Sequence, residues 1–500
     1  MLLADSVKAR LIDENSINKC KIPSALLMEN AGMRVADVAL ETGAESFAVV
    51  IGKGNNGGDG SVAARHILCN NKKVTLVLLA DENALCGDAR LMFETAKNAG
   101  VCIVNGFTAK AKECINQSDV VIDGILGIGC TGALDEYYTR VIEYINSLDK
   151  YVIAIDVPSG VNATNGNVCG AAVRCKKTVT FSVGRLGLCL YPAKEYAGQV
   201  CVKSISFTPK AVAEADIKVK EVEFVKNISW GDDCHKGSVG KVLLAAGSTG
   251  MTGAAYIAAT SALKCGSGVV TLCIPKSLNN IMEQKLTEVM TIPVEECDGT
   301  MSPEAAEKVV EQSGKYDVLV MGCGLGCATE FVNKVIKNAN CPMVIDADGL
   351  NHMDKEILKD KKNNIVITPH LGEMAKLTGY DIEYIKSNLC DVALEFASKY
   401  NVAVVLKSAT TVVAFADGEV YINTKGNSGM ATAGSGDALA GIIGSCIAQS
   451  DDFKTSVVNG VYIHSAAGDK AAEIFGKKFM SATDITDCLK YVLNEEGCEG

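Results

Sequence analysis

Histidine, tryptophan and proline are scarce in this chain, which has 5, 1 and 9 of them among its 500 residues. No two histidines have the His-x₃-His spacing of a helical metal site, so we expect no transition-metal centre. Basic residues are outnumbered, at 48 against 59 acidic ones, and the net charge is −11. This balance argues against a general binder of nucleic acid or of an acidic membrane surface.

The chain also lacks any uninterrupted apolar run of about 18 residues, the length that a membrane-spanning helix needs. Its first ten residues carry charges where a signal peptide has an apolar core. We therefore expect a cytoplasmic protein. The 21 cysteines include no Cys-x-x-Cys pair and are odd in number, which favours free buried thiols in a reducing compartment over disulfides or zinc sites.

Apolar residues make up 48% of the chain, and their runs alternate with helical patterns in the rhythm of parallel α/β sheets. Strands are predicted at Phe47 to Ile51, Val74 to Leu79, Val120 to Ile122, Tyr151 to Ile155 and Lys177 to Phe181. A second series is predicted at Lys241 to Ala246, Val269 to Ile274, Val318 to Met321, Met343 to Ile345, Ile365 to Ile367, Ala403 to Leu406 and Val412 to Ala416. A helix is predicted to open at Pro23.

A charged segment without glycine, from about Pro209 to Ser229, interrupts this rhythm. We interpret it as the junction between two α/β domains, and no repeat of fixed period relates the two halves. The predicted organisation is a first domain at 1–212, a junction at 213–229 and a second domain at 230–500.

The segment from Gly52 to Gly60 contains five glycines in nine residues and follows a predicted strand. Glycine permits positive φ and lets backbone amides approach an anion, and the apolar pattern from Ser61 to Leu68 predicts a helix whose N-terminus favours negative charge. The sequence therefore predicts a nucleotide or phosphate site here, although a simple chain reversal would also use such a turn.

Two aspartates follow predicted strands of the first half: Asp123, before the Gly127 loop, and Asp156, before Pro158 and Ser159. Each alone is better explained as a turn former or helix cap. Because ligands bind at the carboxyl ends of strands in open α/β sheets, we expect both to face one crevice together with the Gly52 segment.

These three motifs, Gly-x-Gly-Asn-Asn-Gly-Gly-Asp-Gly, Asp-Gly-x-Leu-Gly-x-Gly and Asp-x-Pro-Ser-Gly, resemble the NAD(P)H-hydrate epimerase domain over about residues 1 to 210. The resemblance implies a Rossmann-like α/β/α sandwich with a catalytic Asp156 that contacts the hydrated nucleotide. It implies a potassium ion at Asn56, Asp123 and Ser159. The residues implied to bind substrate are Asn55, Asn56, Gly57, Gly58, Asp59, Gly127, Ile128, Gly129, Cys130, Thr131, Gly132 and Ala133.

The second half contains Gly426 to Asp437, a glycine-rich segment that ends in Gly-Ser-Gly-Asp before an apolar helical run. Asp437 is predicted to lie in the first turn of that helix, where the helix dipole favours its ionised form and glycine amides face a transferring phosphoryl group. For Gly-Ser-Gly-Asp alone, an N-capping aspartate is the better explanation. The glycine-rich context favours hydroxyl activation.

Together with His235 to Gly240, Asp346 to Asn351, Thr368 to Glu373 and Lys407 to Thr411, this segment resembles the NAD(P)H-hydrate dehydratase of the ribokinase-like superfamily, over about 225 to 495. Leu371 and Ser408 depart from the family pattern, which commonly has proline and glycine there. The resemblance implies that Asp437 is catalytic and that Ala254, Gly324, His370 and Asp437 contact the hydrate. It implies a nucleotide site at Lys407, Ser408, Ala409, Thr410, Thr411 and Gly436, with Mg²⁺ on the phosphates.

The joint interpretation is a two-domain metabolite-repair enzyme that interconverts the epimers of hydrated NADH and NADPH and dehydrates the S epimer with ADP. Its partners are then small molecules, without nucleic acid or membrane, and we expect a homo-oligomer. ADP rather than ATP follows from the resemblance alone. A small-molecule kinase with a non-catalytic, dimerising first domain is the alternative.

Overall fold

A computed structural model describes residues 1–224 and 233–497 of the chain. The contacts divide it into two compact units, Met1–Val219 and Lys220–Gly500. Both units are α/β with a parallel sheet at the centre, as expected from the alternating strand and helix patterns. Within the described part, no helix is both long and apolar enough to cross a membrane.

The first unit has nine strands that pair within it and nine α-helices in its described residues. The strands are β1 (Leu3–Ala4), β2 (Ser46–Ile51), β3 (Lys73–Leu78), β4 (Cys102–Asn105), β5 (Val120–Gly124), β6 (Tyr151–Ile155), β7 (Lys177–Phe181), β8 (Gly184–Arg185) and β9 (Gln199–Lys203). The helices are α1 (Ser6–Glu14), α2 (Ser24–Leu40), α3 (Asn55–Cys69), α4 (Gly87–Asn98), α5 (Ala109–Gln117), α6 (Glu136–Ser147), α7 (Leu186–Cys189), α8 (Lys194–Ala197) and α9 (Pro209–Ala213), with a π-helical turn at Asn15–Lys19 and a 3₁₀ turn at Glu82–Ala84.

Seven of these strands form one sheet in the order β4-β3-β2-β5-β6-β7-β9, and all of its pairings are parallel. The chain winds outward in one direction from β2 and in the other from β5. Open α/β sheets bind ligands at the carboxyl ends of the strands where the strand order reverses, which is between β2 and β5 here. A separate parallel pair joins β1 to β8, with Ala4 opposite Arg185, and so ties the start of the chain to that arginine.

The second unit is larger. Its strands are β10 (Val219–Glu221), β11 (Lys241–Ala245), β12 (Val269–Pro275), β13 (Met290–Val294), β14 (Glu296–Cys297), β15 (Thr300–Met301), β16 (Val318–Met321), β17 (Met343–Ile345), β18 (Ile365–Ile367), β19 (Ala403–Leu406), β20 (Thr411–Ala414) and β21 (Val420–Asn423). Its helices are α10 (Thr252–Lys264), α11 (Asn279–Lys285), α12 (Ala305–Ser313), α13 (Thr329–Asn338), α14 (Asp348–His352), α15 (Leu371–Thr378), α16 (Ile382–Ser387), α17 (Leu389–Tyr400), α18 (Ser435–Ala448), α19 (Phe453–Phe475) and α20 (Ala482–Gly497), with 3₁₀ turns at Lys276–Leu278, Lys355–Asp360 and Ser428–Met430.

Ten of its described strands form a sheet in the order β10-β21-β20-β19-β18-β17-β16-β11-β12-β13. The pairings from β13 to β19 are parallel, and β20 and β21 extend the sheet as antiparallel strands. The apolar helix α18 is buried over nearly its whole length. Gly441 lets α18 pack close to α10, because a Cβ at this position would lie only 2.1 Å from the Ala258 carbonyl oxygen.

Two sequence expectations differ from the structure. The segment 213–229, interpreted as a junction, contains the division between the two units and also contributes β10 to the second sheet, with all three strand residues half-buried. The remainder of that segment, from 225 on, lies outside the described residues, as does the start of the predicted second domain at 230–232. Helix α3 begins at Asn55 rather than at Ser61, so Asn55 to Gly60 are its first turns and no loop.

Candidate functional site

The glycines of α3 serve close packing. None of Gly52, Gly57, Gly58 and Gly60 has a positive φ. A Cβ on Gly57 would lie 2.2 Å from the Gly52 carbonyl oxygen, and one on Gly60 would lie 2.7 Å from Ile51. The glycines thus let the helix start lie directly on the end of β2, and the start of a helix favours an anion.

Asp123 lies fully buried at the end of β5, where the Ser159 turn supplies its hydrogen-bond donors. The Ser159 amide donates to Asp123 Oδ2 at 2.8 Å, and the Ser159 hydroxyl donates to Oδ1 at 2.5 Å. Asn56 Nδ2 donates to the Leu126 carbonyl at 3.0 Å, beside them. Burial raises the pKa of Asp123 to about 6, although these hydrogen bonds lower it. The three residues expected to hold potassium are therefore joined at the turn after β5, through the Asp123 carboxylate and the Leu126 carbonyl.

Asp156 follows β6 and adopts a left-handed conformation, with φ of 62°. Its Oδ1 atom accepts from the Thr180 hydroxyl at 2.8 Å and forms an ion pair with Arg185 Nη2 at 2.9 Å. Asp156 and Arg185 are only 8% and 6% exposed. A left-handed aspartate that is buried with an arginine is unusual for a turn former, so the strained backbone fits a functional role.

Asp59 lies one helical turn after Asn56 in α3. Burial, followed by the like charges of Asp156 and Asp13, raises the pKa of Asp59 well above its ordinary value. Burial raises the pKa of Asp13 to about 6; Arg185 lowers it, and Asp156 and Glu14 raise it. The structure thus brings Asp13 and Arg185 to this site, two residues that no motif in the sequence indicated.

The Gly127 to Ala133 loop follows β5 beside Asn56, since a Cβ on Gly127 would lie 3.4 Å from the Asn56 Cβ. Ile128 is half-buried and Cys130 is buried, while Gly129 and Thr131 to Ala133 are exposed. Asn55, the first residue of α3, is also exposed. The loop therefore offers a rim of backbone and small side chains beside the carboxylates.

In the second unit, Asp437 lies in the first turn of α18, as the sequence predicts. Gly434 caps that helix with φ of 90°, a conformation that glycine adopts without strain. Burial and the Asp346 and Asp348 carboxylates raise the pKa of Asp437 to about 6, against the Cys323 thiol and the Lys407 ammonium, which lower it. A carboxylate with a pKa near neutrality is suited to general base catalysis.

Lys407, at the end of β19, forms a buried ion pair with Asp346, which follows β17, with Nζ and Oδ1 2.6 Å apart. Asp346 and Asp437 belong to a group with Cys323 whose ligand atoms lie within 4.8 Å of one another. Burial and the two carboxylates raise the pKa of the Cys323 thiol well above its ordinary value, so the thiol stays protonated. A Cβ on Gly436 would lie 3.2 Å from Lys407 Nζ, so the helix start lies close beside this pair.

The Gly322 to Gly326 turn crosses the end of β16 with three glycines at positive φ. A Cβ on Gly324 would lie 2.9 Å from the Ala254 Cβ, which places these two predicted substrate contacts side by side. The Asp348 carboxylate accepts from the Gly326 amide at 2.9 Å and fixes the turn. Gly324 is buried and Ala254 is half-buried.

His370 caps helix α15. Its Nδ1 atom accepts from the amides of Gly372 and Glu373 at 2.9 and 3.2 Å, and Glu373 accepts from the His370 amide at 2.7 Å. The imidazole is nevertheless 59% exposed, and its Nε2 atom lies 3.4 Å from Glu373 Oε1. Burial and Lys407 lower the pKa of His370, which keeps the ring neutral with its proton on Nε2. Structural and ligand-binding roles are thus compatible in this residue.

The predicted nucleotide segment forms the turn from β19 to β20. The Ser408 hydroxyl donates to the Thr410 carbonyl at 2.5 Å and accepts from the Thr410 amide at 3.3 Å. This local bonding gives Ser408 a turn conformation without glycine. Thr410 is buried, Ala409 is exposed and Thr411 begins β20. The Lys407 ammonium is already bonded to Asp346, which sequence patterns did not indicate.

Two family profiles match the chain. The profile described as YjeF-related protein N-terminus matches residues 24–187, and the one described as NAD(P)H-hydrate dehydratase matches residues 242–490. A solved structure titled ADP/ATP-dependent NAD(P)H-hydrate dehydratase from Bacillus subtilis, co-crystallised with ATP and Mg²⁺, is similar at 27% identity. It covers 54% of this chain and 94% of that chain, with a TM-score of 0.47.

Full-length relatives carry the name bifunctional NAD(P)H-hydrate repair enzyme Nnr. The relative from Moorella thermoacetica is 36% identical over 515 residues, which covers 99% of this chain and 97% of the relative. The Escherichia coli relative is 33% identical and covers 91% of this chain and 86% of its own length. The resemblance that the motifs carry is confirmed over both units, and the chain belongs to the family of bifunctional NAD(P)H-hydrate repair enzymes.

Proposed function

We propose that the first unit epimerises hydrated NADH and NADPH and that the second unit dehydrates the S epimer with ADP as phosphoryl donor. One observation carries the proposal beyond family membership. Asp437 lies at the start of α18 with a pKa of about 6, beside the helix amides that an anion would meet. A base and an anion site at one helix terminus are what phosphorylation of a hydroxyl requires.

In the second unit, the ionised Asp437 takes the proton of the C6 hydroxyl. The hydroxyl oxygen then attacks the terminal phosphoryl group of ADP, while the first-turn amides of α18 stabilise the charge on that group. Breakage of the C6–O bond releases phosphate, and loss of a C5 proton restores the dihydronicotinamide ring. The net products are the reduced dinucleotide, AMP and phosphate.

The carboxylates of this site fit Mg²⁺ delivered by a nucleotide. Asp346 and Asp437 supply hard oxygen atoms within 4.8 Å of each other, whereas the protonated Cys323 thiol is no ligand for Mg²⁺. Asp346 would hold the ion, and Lys407 fixes its carboxylate by the 2.6 Å ion pair. When bound, Mg²⁺ neutralises charge on the phosphates.

The first-unit pocket fits a monovalent cation. Asn56, Ser159 and the Leu126 carbonyl lie beside the buried Asp123 carboxylate. Each of these groups contains an oxygen atom that could bind a cation. A single charge suits potassium better than a divalent ion, which would need more carboxylates. Asn56, Asp123 and Ser159 would hold the ion, and when bound it would order the two turns beside the nucleotide. Asp156 exchanges the proton of the C6 hydroxyl during epimerisation.

The test uses the full chain with S-hydrated NADH, Mg²⁺ and either ADP or ATP, and follows recovery of reduced-nicotinamide absorbance. We expect recovery that depends on a nucleotide and is faster with ADP. A stable phosphorylated product without recovery would replace the dehydratase by a kinase. Conversion of the purified R epimer without nucleotide, with K⁺ compared against Na⁺, tests the first unit. The cytoplasmic location and the homo-oligomer stay predictions.

A further inference from the structure

Asp59 differs from the other carboxylates of the first-unit site in its hydrogen bonding. Asp123 accepts from Ser159 and Ile125, and Asp156 accepts from Thr180 and pairs with Arg185. Among the described residues, none donates a hydrogen bond to the Asp59 carboxylate and none pairs with it. A carboxylate in this setting is more stable as the neutral acid.

Three elements bring Asp59 to Asp156. Gly60 of α3 packs on β6, since a Cβ there would lie 3.5 Å from Ile155 Cδ1, in the residue before Asp156. Helix α1 packs against the same crevice, because Arg10 Nη2 would lie 3.5 Å from a Cβ on Gly129. Asp13 follows Arg10 by three residues and therefore shares its face of α1.

The charges around Asp59 separate the two aspartates. Asp156 and Asp13 both raise the pKa of Asp59. Arg185 is the cation bonded to Asp156, at 2.9 Å, and Arg10 lies at the rim. Arg185 Nε is buried and has no hydrogen-bond acceptor among the described residues. Asp156 is thus bonded to a cation, whereas burial, followed by the like charges of Asp156 and Asp13, raises the pKa of Asp59.

We propose that Asp59 is the general acid and Asp156 the general base of the epimerisation, with Asp13 as a positioning residue that acts through Asp59. This inference rests on the proposed epimerase function of the first unit. Two neighbouring carboxyl groups in different surroundings, one bonded to an arginine and one without a bonded partner among the described residues, suit the two roles of acid–base catalysis.

In this mechanism, Asp59 donates one proton and Asp156 accepts one. Asp59 gives its proton to the C6 hydroxyl, the C6–O bond breaks, and water leaves while the lone pair of the ring nitrogen forms a C6=N1 double bond. Water then adds to the opposite face of C6 and gives a proton to Asp156, and the π electrons return to nitrogen. The reverse reaction exchanges the two roles. Exchange with solvent returns the proton from Asp156 to Asp59 and completes the cycle.

The experiment measures conversion of R-hydrated to S-hydrated NADH by chromatography, with the full chain and without nucleotide. For Asp59→Asn we expect kcat to fall by about 10²–10⁴-fold with KM nearly unchanged. Asp149→Asn, at an exposed loop position, is the matched control and keeps the wild-type rate. Dehydration of the S epimer by the second unit of each variant reports that the protein is folded in that part.

Asp13→Asn provides the second variant. The acid form of Asp59 is lost as pH rises through its pKa, and removal of the Asp13 charge lowers that pKa. The alkaline limb of kcat/KM should therefore move to lower pH in Asp13→Asn, which a merely structural role would not cause. An unchanged kcat in Asp59→Asn, or an unmoved alkaline limb in Asp13→Asn, would overturn the inference. A wild-type chain that does not convert the R epimer would instead remove the epimerase function itself.

Discussion

The two units place an aspartate against a glycine-rich helix terminus in opposite ways. In the first unit, Asp156 has an arginine partner at 2.9 Å and the glycines of α3 are helical. In the second unit, the cation, Lys407, is bonded to Asp346, and Asp437 is left with a pKa of about 6 beside Gly434 at φ of 90°. Glycine thus allows close packing at the start of α3 in the first unit, whereas at Gly434 in the second unit it allows a left-handed backbone conformation.

The largest effect is expected from replacing Asp437, the proposed base of the second unit, because the activity of the first unit should then be unaffected. Asp437→Asn should lower kcat for dehydration by about 10²–10⁴-fold, because the amide cannot accept the hydroxyl proton. Epimerisation of the R hydrate by the first unit should continue at the wild-type rate. Recovery of reduced nicotinamide from the S epimer measures the first quantity, and Asp451→Asn, at an exposed position, is the control. Dehydration that survives in Asp437→Asn would place the base elsewhere.

The glycines come next. Gly57→Ala should destabilise the first unit by about 1–3 kcal/mol, because its Cβ would overlap the Gly52 carbonyl at 2.2 Å. Gly54→Ala is the matched control. A Cβ there meets nothing within 4 Å and φ is −90°, so we expect little change. Thermal unfolding measures both, and equal losses would contradict the packing explanation.

Gly434→Ala should destabilise the second unit by about 1–2 kcal/mol from its positive φ alone, with a further cost from a Cβ at 2.5 Å from Ile257. Gly379→Ala separates the two causes, because Gly379 has φ of 85° and no atom within 4 Å of its Cβ. Its loss of stability should match the conformational part alone. A Gly434 variant no less stable than the Gly379 variant would exclude the steric part.

The smallest effect is a shift in pH dependence. Asp437 acts in its ionised form, so kcat/KM for dehydration should rise with pH through about 6. Asp348→Asn removes a like charge that raises the pKa of Asp437, while the amide oxygen still accepts from the Gly326 amide. The acid limb should then move to lower pH by less than about one unit. A move to higher pH would contradict this electrostatic account.

Much of the fold follows from the order of residues along the chain. The strands at Tyr151–Ile155, Val318–Met321 and Met343–Ile345 are confirmed at the bounds that the apolar runs predict, because a buried parallel strand is a continuous apolar run. Strands β4 and β9 lie at the edges of their sheet, carry polar residues and were not predicted. The placement of Asp437 in the first turn of its helix is confirmed.

The sequence by itself determined the α/β class, the two-part organisation and which aspartates stand at strand ends, because periodicity and glycine content are local properties. Only the tertiary structure decided that Arg185 reaches Asp156, that Asp13 joins Asp59, and that Lys407 is bonded to Asp346 and not to Asp437. Residues so far apart in sequence meet only when β1 pairs with β8 and when strand ends gather at one edge of a sheet. The charge around each carboxylate is therefore a property of the fold.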